Sequence, residues 1–541
     1  MAVKRACVTG SLGLVFVFWG ASAAMLKAQE TGPETQVSAS SPLSAIDWLS
    51  ETVKPAPLPL SPNASSPKAI PPLGEAPVTG GVAAPQAITT TVLGGPSVDS
   101  VGLLPSAKTG YPAALWGRAT AGEVSAAIVG LKTDGIPALH DLAITVLLAE
   151  ADAPAMEAPA QHGAVLLARV DKLLAIGALD QAYALIEAAS PANNADLFRR
   201  AFDVSLLMGQ EDRACSEMRA TRGLDIAPQT RVFCAARAGD WAGAKLTLST
   251  ETALGGIPSI EAELLERFLD PEAFADPTLP PPPKPITPLI WRIYDALGET
   301  LPTGTLPIAF AHAELSTRAG WKAQAEAAER LARAGVLAPN QLLGIFTSQK
   351  PSASGGVWDR IAAFQALDAA ITAGDAGAVA ATLPPAYDAM KAAELEVAFA
   401  TLYGEALASL NLQGEAGDLA YEVGLLSPAY ERLAGDPTAG TPRGFLAGLA
   451  RGDLAEQTAS GDLGRAVAAG FSAPMLPDDL AQLAASGNVG MGILAAISRI
   501  QTGVFGEDRA VTEGLALLRA LGLESAARRT ALELMILERR G

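Results

Sequence analysis

A short pattern recurs along this chain and limits what it can fold into. A glycine is followed five positions later by a small or apolar residue, with a run of helix-forming residues on each side. Glycine can end a helix in the left-handed conformation, and a small residue lets the next helix approach closely. The pattern therefore predicts helical hairpins. Its eight occurrences are Gly177/Ala182, Gly209/Ala214, Gly239/Ala244, Gly320/Ala325, Gly374/Val379, Gly414/Leu419, Gly461/Ala466 and Gly506/Val511.

The spacing of these glycines indicates a repeat architecture. Successive glycines lie 32, 30, 81, 54, 40, 47 and 45 residues apart, and most of these intervals suit helix-pair repeats. The longest interval contains the proline-rich stretch 271–288. Because no convincing alternating strand pattern occurs, we expect an all-α solenoid of antiparallel hairpins. A first block at 113–270 and a second at 289–541 would flank the proline-rich connection.

The amphipathic runs give the expected helices. Apolar residues recur in them at three- and four-residue spacing, which is typical of a helix with one buried face. The clearest runs are 163–175, 180–189, 322–334, 358–373, 395–410 and 514–540.

The N-terminus has the pattern of a signal peptide. Lys4 and Arg5 precede a short apolar stretch at residues 12–19, and small residues follow it up to Ala23. We expect cleavage after Ala23, so that residues 1–23 are removed and the mature chain is periplasmic or secreted. The alternative is an uncleaved signal that anchors the chain in the inner membrane, although the apolar stretch is shorter than the ~20 residues that span a bilayer.

Residues 24–112 differ from the rest in composition. They are rich in Pro, Ser, Thr and Gly and carry few charges, which predicts a disordered tail with polyproline character. A short helix is expected near 44–53. It either packs back onto the helical body as a cap, or it docks into a groove of a partner protein. Its candidate docking residues are Ile46, Trp48, Leu49 and Val53.

Two cysteines are expected to form a disulfide. Cys7 lies in the predicted signal peptide, so the exported chain retains Cys215 and Cys234. Each lies in a helical run, about nine or ten residues from a turn near Gly223. Two antiparallel helices joined by that turn would place the two cysteines side by side. An oxidising compartment favours such a bond, whereas two separate buried thiols are the alternative.

Composition argues against several kinds of function. The chain has 541 residues with 39 basic and 57 acidic side chains, and its formal charge of −18 would repel a nucleic-acid backbone. With only three histidines (His140, His162 and His312), few ligands exist for a metal, and we expect neither a metal nor a cofactor. Neither a nucleophile elbow nor a phosphate-binding loop occurs. We therefore expect no catalytic residues.

Two resemblances accompany these patterns. The stretch 173–186, with its Gly177 and Ala182, resembles the core of a tetratricopeptide unit, which implies stacked helix pairs. The succession of signal peptide, proline-rich tail and Ala-rich helical body resembles a group of exported helical proteins of alphaproteobacterial type. Some of these carry the label antifreeze glycopeptide polyprotein, but the regular Ala-Ala-Thr repeat of ice-binding glycopeptides does not occur here.

These observations favour a scaffold over an enzyme. We expect a non-enzymatic periplasmic helical-repeat protein that binds an envelope protein or peptide, with no nucleic-acid partner and no membrane span after signal cleavage. The alternatives are a peptidoglycan-related envelope enzyme, which would need a carboxylate in a cleft, and a purely structural envelope protein.

Overall fold

The computed structural model describes residues 46–50, 52–53 and 97–537, with short gaps inside the last range. The gaps are residues 134, 159–160, 191–193, 222, 275–277, 300, 317, 436–440, 456 and 473–474. The predicted signal peptide 1–23, its cleavage site at Ala23 and most of the predicted tail lie outside the described residues. By its internal contacts the chain divides into residues 1–44 and 45–541, and the described residues all belong to the second unit.

The described part is built from α-helices, and no strand occurs among its residues, which confirms the all-α class. The helices are α1 (Ser106–Thr109), α2 (Ala121–Gly130), α3 (Pro137–Leu148), α4 (Ala164–Ala175), α5 (Leu179–Ala188), α6 (Ala195–Leu207), α7 (Glu211–Ala220), α8 (Pro228–Arg237), α9 (Trp241–Ala253), α10 (Ser259–Leu269), α11 (Pro288–Ala296), α12 (Ala311–Glu314), α13 (Trp321–Arg333), α14 (Pro339–Thr347), α15 (Val357–Ala373), α16 (Ala376–Lys391), α17 (Glu396–Ser409), α18 (Gly414–Leu426), α19 (Tyr430–Leu433), α20 (Pro442–Arg451), α21 (Gly461–Phe471), α22 (Asp478–Ala485), α23 (Val489–Val504), α24 (Asp508–Ala520) and α25 (Glu524–Ile536). Short 3-10 helices lie at Val98–Ser100, Pro271–Ala273, Thr303–Thr305 and Ile308–Phe310. Among the described residues, no helix is long and apolar enough to cross a bilayer.

Most of the recurring glycines lie in turns between helices. At Gly374 the backbone is left-handed, with a φ of 66°, and its N–H closes the end of α15. The side chain of Asp375 then accepts hydrogen bonds from the first N–H groups of α16, so one helix ends and the next begins within two residues. Gly320 differs, because its φ of −65° is not left-handed. Gly414 and Gly461 open α18 and α21 instead of ending the preceding helices.

Helices that follow one another in sequence pack together, as in α8/α9, α15/α16, α17/α18 and α23/α24. Their apolar faces form three buried clusters. One is made mainly by α2–α6 with α19–α25, another by α12–α18, and the third by α6–α11.

The two ends of this helical unit meet. Helix α3 packs against α23 and α25, and α2 also contacts α23. The N–H of Gly490 donates to the carbonyl of Leu115 at 2.8 Å. The N–H of Ala138 donates to Oε2 of Glu533 at 2.7 Å, across 395 residues of sequence. Helices α2 and α3 therefore share one core with α23 and α25.

The proline-rich stretch 271–288 packs against its neighbours. It starts with a 3-10 turn and leads into α11, where the hydroxyl of Tyr294 donates to the carbonyl of Pro280. Helix α11 packs against α6, which lies in the predicted first block. The blocks 113–270 and 289–541 both belong to the unit of residues 45–541, and their separation by a hinge stays a prediction.

Candidate functional site

The segment expected to form a docking helix near 44–53 is not helical in its described residues. Trp48 lies in a turn, Leu49 lies in the bend that follows it, Ile46 precedes the turn, and Val53 forms a single bridge. The side chains of Ile46, Trp48 and Leu49 are only 5%, 7% and 2% exposed, because the protein's own helices cover them. The prediction of a helix here is wrong. We call the described residues 46–50 and 52–53 the strap.

Helix α6 binds the backbone of the strap. Nη2 of Arg199 donates to the carbonyl of Leu49 at 2.7 Å, and Nε of the same side chain donates to the carbonyl of Ser50. One turn further along α6, Oδ2 of Asp203 accepts the N–H of Ser50 at 2.7 Å. These contacts replace the helical hydrogen bonds that the segment would make on its own, which is why it is not a helix.

The far end of the strap is held by the turn before α8. The N–H of Ala227 donates to the carbonyl of Thr52 at 2.7 Å, and Val53 forms an antiparallel bridge with Ile226. Thr52 is fully buried. The strap is thus bound mainly through main-chain groups, at its turn and at the bridge formed by Val53.

The side chains of the strap fit distinct neighbours. The ring of Trp48 meets that of Phe310 edge to face, with centroids 5.5 Å apart. Oγ of Ser50, whose side chain is buried, accepts the N–H of Leu289 at 3.4 Å. The groove therefore holds an aromatic residue, then an aliphatic one, then a small residue. We call the surface formed by α6, Ala227, Leu289 and Phe310 the strap groove.

Asp203 is an acid of the groove whose pKa is strongly shifted. Burial raises its pKa to about 7, although the Ser50 N–H and the nearby guanidinium groups of Arg199 and Arg200 oppose the shift. Arg200 is itself bound by Asp171, with Nη2 to Oδ2 at 2.8 Å. A carboxyl with such a pKa could serve acid–base catalysis. The strap covers it, however, so in this conformation it binds a backbone amide.

A cavity of about 650 Å³ adjoins the strap. Asp47, Leu49 and Ser50 form one wall, and Gln229 of α8, Glu261 of α10 and Lys284 line the rest. Asp47 is exposed and Gln229 donates to Glu261 at 2.9 Å. The cavity leaves space beside the strap for additional peptide residues.

A second cavity of about 410 Å³ lies between α3, the end of α4 and α13. His140, Arg330, Arg333 and Glu394 line it. The imidazole Nε2 of His140 lies 3.0 Å from Oγ1 of Thr133. Both arginines donate to backbone carbonyls, so these charges stabilise the local fold.

The other histidines and acids do not assemble into a metal site. Burial lowers the pKa of His312, whose Nε2 lies 2.7 Å from the carbonyl of Gly177. Within the ranges that the structure covers, no group of three or more His, Cys, Asp and Glu side chains could hold a metal ion.

The two cysteines of the expected disulfide lie together. Sγ of Cys215 on α7 and Sγ of Cys234 on α8 are 1.96 Å apart, and their Cα atoms are 5.2 Å apart. Both residues are buried in the third apolar cluster. The pair joins α7 to α8, which is the arrangement expected from the sequence.

The sequence analysis did not identify Arg199, Asp203 and Ala227 as binding residues. The one available signal is that charged residues interrupt the apolar run of α6, where Arg200 and Asp203 are buried. Charged side chains on a buried helix face need hydrogen-bond partners, and the strap supplies one of them, the Ser50 N–H that donates to Asp203. No protein-family model matches the chain, and no curated protein or solved structure matches it either.

Proposed function

We propose that this protein is a non-enzymatic, exported helical-repeat scaffold that binds a protein or peptide of the cell envelope in its strap groove. Its stacked helical hairpins form the framework, and the signal peptide directs it to the periplasm. The groove binds a segment of the partner through its main-chain groups.

One observation carries this proposal. Arg199, Asp203 and Ala227 bind carbonyl and N–H groups of residues 49–50 and 52, so the groove recognises a peptide backbone. Main-chain recognition of this kind accepts many sequences, and pockets for alternate side chains supply the specificity. The neighbouring cavity of about 650 Å³ extends the surface available to such a partner.

Capture from an envelope extract tests the proposal, with the mature chain and a variant lacking residues 24–53 as baits. We expect one reproducible partner, retained more strongly by the shortened bait because its groove is open. Arg199→Ala in that bait removes the guanidinium that binds the two strap carbonyls in the full chain, and it is expected to weaken retention of the partner. The matched control is Arg213→Ala, which changes an arginine on α7 whose side chain is 44% exposed.

The proposal fails if neither bait retains a reproducible partner. It also fails if Arg199→Ala and Arg213→Ala reduce retention equally, because the groove would then have no special role. N-terminal sequencing of the exported chain tests the localisation, since cleavage after Ala23 leaves residue 24 at the new N-terminus.

A further inference from the structure

We infer that the cavity between α3, the end of α4 and α13 binds a free α-amino acid with an aliphatic side chain, with Arg333 holding its carboxylate and Glu394 its ammonium group. We call it the Arg333 cavity. Its volume of about 410 Å³ is within the range of small-molecule sites, ~300–1,000 Å³. None of the residues that define the strap groove lines it, so this site is separate from the proposed binding of an envelope partner.

The turn between α16 and α17 places an acid beside a base at the Arg333 cavity. Nε of Arg333, the last residue of α13, donates to the carbonyl of Ala393 at 3.0 Å. The next residue is Glu394, whose Oε2 lies 3.6 Å from the same Nε. Both side chains line the cavity, and they are 44% and 50% exposed. A single small molecule can therefore reach both charges at once.

Both side chains keep hydrogen-bonding capacity for a ligand. Nε is the only atom of the Arg333 guanidinium that donates to another described residue, so Nη1 and Nη2 are left over. Likewise, no described residue donates a hydrogen bond to the carboxylate of Glu394. Arg330 differs, because its Nη1 and Nη2 already donate to the carbonyls of Thr303 and Leu306. A guanidinium with two free terminal nitrogens is suited to bidentate binding of a carboxylate, which makes Arg333 the carboxylate ligand.

The arrangement of the charges selects an α-amino acid. A carboxylate alone would be repelled by Glu394, and an amine alone would be repelled by Arg333. A ligand that carries both groups satisfies both residues, and its groups must lie close together because the two side chains are neighbours. In an α-amino acid the carboxylate and the ammonium group are attached to the same carbon atom. Ala175, Ile176 and Ile308 line another part of the cavity, which favours an aliphatic side chain on that carbon.

The backbone at Glu394 is left-handed, with a φ of 58°. Glycine adopts this conformation without strain, whereas a residue with a Cβ atom is disfavoured there. Stability alone would therefore favour glycine after α16, as at Gly374 after α15. Glycine would lack the carboxylate. We thus expect Glu394→Gly to stabilise the fold and to remove the ammonium site.

Isothermal titration calorimetry of the chain from residue 24 onwards tests the site, with L-leucine as the ligand. Three analogues change one feature each. The compound 4-methylpentanoate lacks the ammonium group, 3-methylbutylamine lacks the carboxylate, and 6-aminohexanoate carries the two charges at opposite ends of its chain. We expect leucine to bind and each analogue to bind at least about 10-fold more weakly, because a charge-assisted contact is lost.

Protein variants locate the binding in the same assay. Arg333→Gln and Glu394→Gln each remove one charge and are expected to weaken leucine binding about 10-fold or more. The matched control is Arg213→Gln, because the side chain of Arg213 is also 44% exposed, and it should bind leucine like the wild type. Glu394→Gly should lose affinity as Glu394→Gln does but unfold at a higher urea concentration than the wild type. That combination separates loss of the ligand site from loss of the fold.

Three results would overturn the inference. Leucine could fail to bind the wild type, or an analogue could bind as tightly as leucine, which would show that the paired charges do not select the ligand. Arg333→Gln and Glu394→Gln could also bind leucine as tightly as Arg213→Gln, which would place the ligand elsewhere. None of these results changes the capture of an envelope partner by the strap groove, so the two proposals can fail separately.

Discussion

Replacement of Gly490 by alanine tests whether the two ends of the helical unit meet as described. Gly490 is the second residue of α23 and lies against Trp116. A Cβ atom there would lie 2.6 Å from Cζ3 and 2.7 Å from Cε3 of Trp116, and 3.0 Å from Cγ of Leu115. Because Trp116 is only 2% exposed, its ring has little room to move.

The magnitude follows from two opposing effects. Overpacking of a filled core costs about 1–3 kcal/mol. Alanine in place of glycine within a helix regains at most about 1 kcal/mol of propensity. We therefore expect Gly490→Ala to lower the free energy of unfolding by about 1–2 kcal/mol.

Gly344→Ala is the matched control. Gly344 lies inside α14, and nothing lies within 4 Å of the Cβ that alanine would add. Only the propensity effect remains there, so this variant is expected to be up to about 1 kcal/mol more stable than the wild type. The two substitutions are chemically identical but should have opposite signs.

Urea unfolding, followed by circular dichroism, measures both variants. Hydrogen exchange measured on peptides that contain residue 490 adds a local readout, because the N–H of Gly490 is bound to the carbonyl of Leu115. We expect faster exchange of those peptides in Gly490→Ala and no change there in Gly344→Ala. If Gly490→Ala is as stable as Gly344→Ala and exchange is unaltered, the contact of α23 with Leu115 and Trp116 is refuted.

Three further predictions concern the groove and its surroundings. Burial raises the pKa of Asp203 from 3.8 to about 7, so the stability that this residue contributes is complete below about pH 4 and is lost as the pH rises through 7. Over that range the urea midpoint of the wild type should fall relative to that of Asp203→Asn. Parallel pH profiles of the two proteins would contradict this prediction. Replacing both Cys215 and Cys234 by alanine should cost about 3 kcal/mol and speed proteolysis between α7 and α8, and two alkylatable thiols in the unreduced exported wild type would show that no bond forms there. Asp171→Asn removes the carboxylate bound to buried Arg200 and should cost about 3–5 kcal/mol in urea unfolding; a loss below about 1 kcal/mol would show that the pair does not need its charge.

Local patterns predicted many of the helices closely. The run 358–373 corresponds to α15 at Val357–Ala373, and the run 395–410 corresponds to α17 at Glu396–Ser409. A helix is stabilised by contacts between residues three and four positions apart, so the pattern that predicts it lies within a short stretch of sequence. The run 514–540 is not one continuous helix in its described residues. Gly522 takes a φ of 79° and divides it into α24 and α25.

The disulfide could also be predicted from nearby residues. Cys215 and Cys234 are 19 positions apart and lie on helices joined by a short turn. Their approach depends on the geometry of one helical hairpin and on no distant part of the chain. The apolar side chains of Trp48 and Leu49 likewise indicate that the strap is buried. The sequence leaves open whether it packs onto its own helical body or docks into a groove of a partner protein.

The sequence by itself determined that the described part of the chain is helical, where several of its helices begin and end, and which cysteines pair. Only the tertiary structure decided that the strap lies on α6 and that α3 packs against α23 and α25. The contact between Ser50 and Asp203 spans 153 residues, and the one between Ala138 and Glu533 spans 395. No local spacing specifies such pairs. The entropy of closing a long loop depends only weakly on its length, so loop closure does not favour one distant pairing over another. What selects one pairing is the fit of buried side chains and the satisfaction of buried polar groups, and these exist only once the helices have packed.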